Sequence, residues 1–389
     1  AIGPMAGGFL LEHFSWHSVF WVNIPLGILA LTAGAFIIPT SRDPHHGALD
    51  PIGAMLSIVG LAALLFGIIE GPSDGWLHGS VVAGFVIGSL ALAAFVAWEL
   101  HTDHPMLDMS VFRNARFSAA SGTITLVFFA LFGSLFLMTQ YWQLVHGYSP
   151  LQAGVRLLPQ AITMMVVAPL SARLVEQAGT KRVVLAGLTL IIVGLGLLSF
   201  IQPETPYIVV ISFLVVMSVG MGMTMAPATE SVMGSLPREK AGVGSAINDT
   251  TRQVGGALGV AIIGSAVSSA YRGSISSAAE TFGLDRSADA AAQSSLGGAQ
   301  AVASGLGTRA DEFFSVANHA FVDAMSIGLR VSVGIVAVAA VMAWRYLPST
   351  ANDLPQSARP GVIGAPGGSP SVVGAAAPAG ASFATEPTP

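Results

Sequence analysis

Asp249 and Arg252 stand three residues apart inside an otherwise apolar run, flanked by Asn248 and Gln253. On a helix, positions i and i+3 share a face, which Ser245, Gly256 and Gly259 continue. An unpaired Asp or Arg at the centre of a lipid-embedded helix costs about 2.5–3.5 kcal/mol, so such residues pair, face a cavity or lie near the interface. Two readings follow. The residues are a polar element beside a path through the membrane, with Asp249 able to titrate, or they are an internal charge pair that locks this helix to a neighbour.

A second group, Met138, Gln140, Tyr141 and Gln143, ends another apolar run. Met and aromatic side chains suit a cavity that repacks around varied apolar guests. Interfacial anchoring explains Tyr141 and the adjoining Trp142 equally well. The nine histidines fall in loops or at the ends of apolar runs; even the spacings His45-His46 and His101-x-Asp103-His104 lack converging carboxylates, and no metal site is expected. No phosphate-binding loop and no nucleophile–base pair inside a span are found, which argues against ATP-driven work and intramembrane catalysis.

The elements that must position these residues are long and apolar. Val183–Ile201, Tyr207–Thr229 and Val81–Trp98 each run without Lys, Arg, Asp or Glu. About 20 apolar residues on a 1.5 Å rise cross a hydrocarbon layer of roughly 30 Å. Alternation of apolar and polar residues, the mark of a barrel strand, is missing from these runs. The chain is 53% hydrophobic and 10% charged, with 45 glycines suited to close helix packing; the mean hydropathy is +0.70. A net charge of -5 without a basic run gives no sign of nucleic acid, and the absence of cysteine removes disulfide and thiol chemistry.

Apolar runs read against helix breakers predict spans over 17–39, 50–70, 79–100, 117–143, 151–175, 182–201, 205–234, 243–271 and 323–347, preceded by an apolar remnant at 1–11. The loops 71–78, 144–150 and 202–204 hold no Lys or Arg, whereas alternate loops hold Arg42; Arg113 and Arg116; Arg173, Lys181 and Arg182; Arg238 and Lys240. The positive-inside rule then places the basic loops and the C-terminus in the cytoplasm. Residues 273–320 read as a long Ser/Ala/Gly-rich outer loop with a short surface helix near Asp311–Val316. Residues 348–389, rich in Pro, Gly and Ala, read as a disordered tail. The opening on half of a span, without an initiator Met, reads as a fragment.

Gly3-Pro4-Met5-Ala6-Gly7-Gly8 would let two helix backbones approach closely. Together with Trp16 to Gly27 it resembles the end of the fifth helix and the sixth helix of the major facilitator superfamily, more narrowly the fourteen-helix drug:proton antiporters of EmrB/QacA type. Further motifs follow in family order: His104-Pro105-Met106-Leu107-Asp108 with Phe112-Arg113-Asn114, then Gln143 to Gly154 with Leu158-Pro159, and Gly242 to Gly259. The resemblance covers about residues 1–347. It implies that Gly3, Pro4, Gly7 and Gly8 end the antiporter motif. By the symmetry of six-plus-six repeats, it implies that Gly255, Gly256 and Gly259 are their counterparts. Leu170 to Arg182 matches the cytoplasmic gate loop in its second copy, which assigns Arg173, Glu176, Gly179, Lys181 and Arg182 to gating. Glu176 and Gln177 replace the usual Asp and Arg there, and positive-inside anchoring by Lys181 and Arg182 explains the loop as well.

The expected fold is an all-α polytopic bundle of the major facilitator type, the C-terminal part, with nine full spans and a partial one. Residues 1–39 would be a remnant of the N-terminal bundle, 40–116 two inserted helices with linkers, 117–347 a six-helix bundle, and 348–389 the tail. The resemblance implies a secondary transporter, not an enzyme. It would expel amphipathic or cationic small molecules from the bacterial inner membrane in exchange for protons, with no cofactor beyond the proton gradient. It further implies a membrane-fusion adaptor as partner of the intact transporter. The alternatives are an exporter of one metabolite, such as a siderophore or antibiotic, and a membrane scaffold that transports nothing.

Overall fold

The computed structural model describes residues 3–37, 50–103, 105, 107, 109–236 and 241–347. The expectations for Arg42, His45, His46, His104, Met106, Asp108, Arg238, Lys240 and the tail 348–389 lie outside the described residues. The chain is built of α1 (Gly3–His13), α2 (Ser18–Trp21), α3 (Asn23–Ile37), α4 (Pro51–Asp74), α5 (Gly79–His101), α6 (Ala115–Gln140), α7 (Pro150–Arg156), α8 (Leu158–Ala178), α9 (Thr180–Leu198), α10 (Tyr207–Met233), α11 (Ala241–Phe282), α12 (Arg286–Ser294), α13 (Leu296–Ala303) and α14 (Ala310–Tyr346). Among the described residues, nine helical stretches are long and apolar enough to cross a membrane, from Ser18–Ile37 to Gly307–Tyr346. They overlap the nine spans read from hydropathy, with most ends differing by a few residues and those of Gly242–Phe282 and Gly307–Tyr346 running well beyond them.

Those ends carry a correction. Residues 273–320, expected as a loop, are mostly helical: α11 runs on to Phe282, α14 starts at Ala310, and α12 and α13 lie between. Gly283, at φ 68°, follows α11, and the Asp285 and Ser295 side chains accept N–H bonds that start α12 and α13. The two short helices form a cap because they bury Ala292, Leu296, Ala299 and Ala303 beside Phe313, which is fully buried. Phe282 and Phe313 meet edge to face at 5.1 Å, joining the extended ends of α11 and α14.

The core gathers around α6, which packs on α10, α11 and α14, with α9 against α10 and α14. Phe117, Ile124 and Leu137 of α6, Leu188 and Leu195 of α9, Met217 of α10 and Val336 of α14 are fully buried there or nearly so. Asn114 caps the start of α6 by accepting from the N–H groups of Arg116 and Phe117. Ser149 and Gln152 form a reciprocal capping box on α7, with Pro150 at its first position. The Gly179 link between α8 and α9 sits at φ 84°, a left-handed conformation that a side chain would strain.

The outer helices attach differently. α4 and α5 form a hairpin fastened at one end by Trp98, whose indole N–H donates to the Asp50 carboxylate at 3.0 Å. At its other end, Arg272 of α11 donates to the Pro72 carbonyl at 2.8 Å and to the Ser73 hydroxyl at 3.3 Å. This holds α4 against α11 and satisfies a carbonyl near the α4 C-terminus. α3 buries no residue.

Candidate functional site

Glycines bring α6 and α11 together. A Cβ at Gly255 would strike the Thr125 backbone, and one at Gly259 the Phe129 backbone. The two main chains therefore run in contact, as small-residue positions allow in lipid. Gly8 makes a comparable approach elsewhere: its absent Cβ leaves room for the Pro150 carbonyl at 2.6 Å, and Gly154 faces the Pro4 carbonyl at 2.5 Å. The two glycine patches thus serve different contacts, α1 on α7 and α11 on α6. Glu12 of α1 accepts a hydrogen bond from Ser149 at 3.2 Å beside the first contact. Gly3 and Gly7 have open space where a Cβ would stand.

The tight α6–α11 crossing leaves a cavity of about 420 Å³ alongside it, lined by Phe128 and Phe132 from one helix and by Asp249, Arg252 and Gln253 from the other. The phenyl rings stack at 5.9 Å. Arg252 donates to the Thr229 hydroxyl of α10 at 2.9 Å and lies over the Phe128 ring at 5.3 Å. Among the described residues no ion pair joins it to Asp249, and the Asp249 residue is exposed. The expectation of an internal pair is corrected accordingly: the lock runs from Arg252 across to Thr229. The reason is steric reach, since a guanidinium on an i, i+3 face can turn to the next helix as readily as to its own. Asn248 is buried at 6% exposure, and its side-chain oxygen has no hydrogen-bond partner. Gln253 also borders a second space of about 330 Å³ against Leu61 and Leu65 of α4.

A further cavity of about 300 Å³ lies at the other end of the same helix pair, beneath the cap. Phe136 and Gln140 of α6, Ser265 and Tyr271 of α11, Leu296 of α13 and Phe321 of α14 line it. Of the four residues expected to face a cavity, Gln140 does. Met138 and Tyr141 do not, which is a second correction: both are buried in the core. The helical period turns Phe136 and Gln140 to one face and sends Leu137, Met138 and Tyr141 inward. The Tyr141 hydroxyl donates to the Gln202 carbonyl at 3.0 Å. Gln143 falls in a single π-helical turn, Tyr141–Val145, and is half-buried. Trp142 is fully buried and stacks with Tyr148 at 5.9 Å. His146, next to it, is held below its ordinary value of 6.5 by burial and then by the charge of Arg156.

In the α8–α9 link, Arg173, Glu176 and Arg182 are exposed, and among the described residues no ion pair joins Glu176 to Arg173, Lys181 or Arg182. The Lys181 ammonium lies 6.0 Å from the Trp344 ring of α14. No three His, Asp or Glu side chains come together as metal ligands among the described residues. Sequence reasoning missed Phe128, Phe132, Thr229, Ser265 and Tyr271. For the phenyl pair the signal was present, as Phe128 and Phe132 are four apart on one helical face.

A sequence profile described as "Major Facilitator Superfamily" matches residues 1–260. The chain is 34% identical over 263 residues to the uncharacterised MFS-type transporter YhcA of Bacillus subtilis, covering 68% of this chain and 49% of that one. It is equally similar, at 34% over 263 residues and with the same coverage, to the multidrug resistance protein Stp of Mycobacterium tuberculosis. The multidrug efflux pump LfrA of Mycolicibacterium smegmatis is 31% identical over 306 residues, which are 79% of this chain and 60% of that one. The chain thus spans about half the length of the curated relatives it matches, somewhat more for the last.

Proposed function

Because this chain belongs to the major facilitator superfamily, we propose that its helices serve a secondary active transporter that expels amphipathic, in part cationic, small molecules across a bacterial inner membrane in exchange for protons. The observation that carries the reading is the cavity in which an exposed carboxylate, Asp249, stands beside the Phe128 and Phe132 rings. A flat cation entering there would meet the Asp249 carboxylate and the Phe132 ring, a combination worth more as water is excluded. Arg252, fixed by Thr229, supplies a positive charge close by. The Asp249 carboxylate is a group that a cation or a proton could each occupy. Competition of the two for one site is the simplest way to couple their movements. One charge moved across 100 mV supplies about 2.3 kcal/mol. Two relatives named for multidrug resistance or efflux support the same reading. The distribution of basic residues supports an orientation with the α8–α9 link and the C-terminus in the cytoplasm.

The test is a chimera of the Mycolicibacterium smegmatis relative that carries this chain in place of the part it matches. Reconstituted in vesicles with an imposed pH gradient, it should move ethidium against its gradient. Asp249→Asn should leave its abundance intact and abolish gradient-driven movement. Dye movement indifferent to the pH gradient would refute the exchange.

A further inference from the structure

We propose that the cavity beneath the α12–α13 cap is a binding site for uncharged aromatic molecules that carry a hydrogen-bond acceptor, separate from the cavity at Asp249 and Arg252. Tyr271 is 3% exposed and Ser265 7% exposed, and neither hydroxyl has a hydrogen-bond partner among the described residues. A buried hydroxyl left without a partner is costly, and buried polar groups are paired in the great majority of cases. Two of them border the same cavity, and each can donate one hydrogen bond. A guest bearing a carbonyl or ether oxygen would satisfy what the helices leave open.

The walls define the rest of the guest. Phe136, Tyr271 and Phe321 present aromatic surface, with Tyr271 and Phe321 edge to face at 6.2 Å. Flat rings pack well against such walls. Among the described residues, no Asp, Glu, Lys or Arg lines the cavity. The neighbouring Arg272 is committed to the Pro72 carbonyl and Ser73 at the end of α4. A charged molecule would therefore lose its hydration here without gaining a counter-charge, whereas an uncharged one would not. The volume of about 300 Å³ is at the lower end of the range for small-molecule sites, roughly 300–1,000 Å³. An acyl chain would fill the apolar part and leave both hydroxyls unsatisfied, so lipid is the poorer guest.

Binding at this site can be read without transport. The full chain in lipid nanodiscs is irradiated with benzophenone, which has two rings, one carbonyl and no charge, and its adducts are mapped by mass spectrometry. A trimethylammonium derivative of benzophenone is the charged control. Adducts from the uncharged probe should concentrate on the peptides that hold Ser265–Tyr271 and Ser294–Leu296, and the charged probe should label them far less. Tyr271→Phe removes one hydrogen bond to the guest and should weaken site labelling about five-fold, while its thermal midpoint stays level or rises because an unsatisfied hydroxyl is gone. Ser268→Phe, which fills the cavity, should remove the site labelling. Equal labelling by both probes would overturn the proposal, as would labelling that survives Tyr271→Phe and Ser268→Phe unchanged. Adducts confined to exposed surfaces such as α3 would overturn it too.

Discussion

The helix pair α6 and α11 carries two cavities of opposite character. One holds Asp249 and Arg252 beside two phenyl rings. The other, under the cap, holds only uncharged groups, among them Ser265, Tyr271 and Gln140. Both are products of the same backbone approach at Gly255 and Gly259, beyond which the helices leave space on either side. The difference lies in what neighbours each cavity. Thr229 on α10 and the Phe128 ring give the Arg252 charge somewhere to rest. At the capped end the guanidinium of Arg272 is spent on fastening α4, and the cavity beside it stays neutral. Charge in this molecule goes where a neighbouring helix can answer it, and the chemistry of each cavity follows from that.

The comparison breaks most severely if the cap is removed. Phe313 is fully buried and meets Phe282 edge to face, so Phe313→Ala should cost about 3–5 kcal/mol. Hydrogen exchange should show the loss concentrated in residues 282–313, with α12 and α13 opening while the Asp249 cavity keeps its protection. Exchange rising equally over both ends would mean that the cap is no separate unit. Next comes the shared crossing. Gly259→Ala places a methyl group against the Phe129 backbone, and overpacking of this kind costs about 1–3 kcal/mol. It should lower the thermal midpoint and perturb probes of both cavities together.

A smaller effect separates the two accounts of the charges. A double-mutant cycle between Arg252 and Thr229 should give a coupling of about 1 kcal/mol, as for a hydrogen bond from a charged donor with partial solvent access. The cycle between Asp249→Asn and Arg252→Gln should give less than about 0.5 kcal/mol, because no ion pair joins the two. The reverse ranking would restore the internal pair.

The smallest effect is one of pH. The unfolded chain binds a proton at His146 more readily than the folded one, since burial and Arg156 lower its folded value. Its contribution to stability is therefore complete above the ordinary value of 6.5 and is lost as pH falls through the folded value. Between pH 7.5 and 5, His146→Asn should show a flatter fall in thermal midpoint than the unaltered chain. Identical slopes would mean that His146 takes no part.

What could be read in the sequence divides along the same line. The spans were legible because lipid enforces long uncharged runs, and Val183–Ile201 or Tyr207–Thr229 admits no other reading. The glycines at 255, 256 and 259 were legible as a packing face for the same reason. The cap was not, because Ala, Ser and Gly give a weak apolar signal; even so, Leu296, Ala299 and Ala303, the buried residues of α13, do recur at helical spacing. The partner of Arg252 was hidden for a different reason. Thr229 lies 23 residues away on another helix, and nothing in local spacing points to it. The uncharged cavity was legible only at Gln140, since it forms from six helices, α4, α6, α11, α12, α13 and α14, whose other contributing residues are unremarkable in sequence.

The most direct measurement compares how the two cavities treat a charge. Ethidium, a flat aromatic cation, is titrated into the full chain in nanodiscs and followed by fluorescence anisotropy. Asp249→Asn should weaken its binding about ten-fold, the loss of one attractive contact to a cation in a partly desolvated site. Tyr271→Phe should leave that binding unchanged. Equal affinity in the unaltered chain and in Asp249→Asn, or an ethidium site that responds to Tyr271→Phe instead, would contradict the division between a charged and an uncharged cavity.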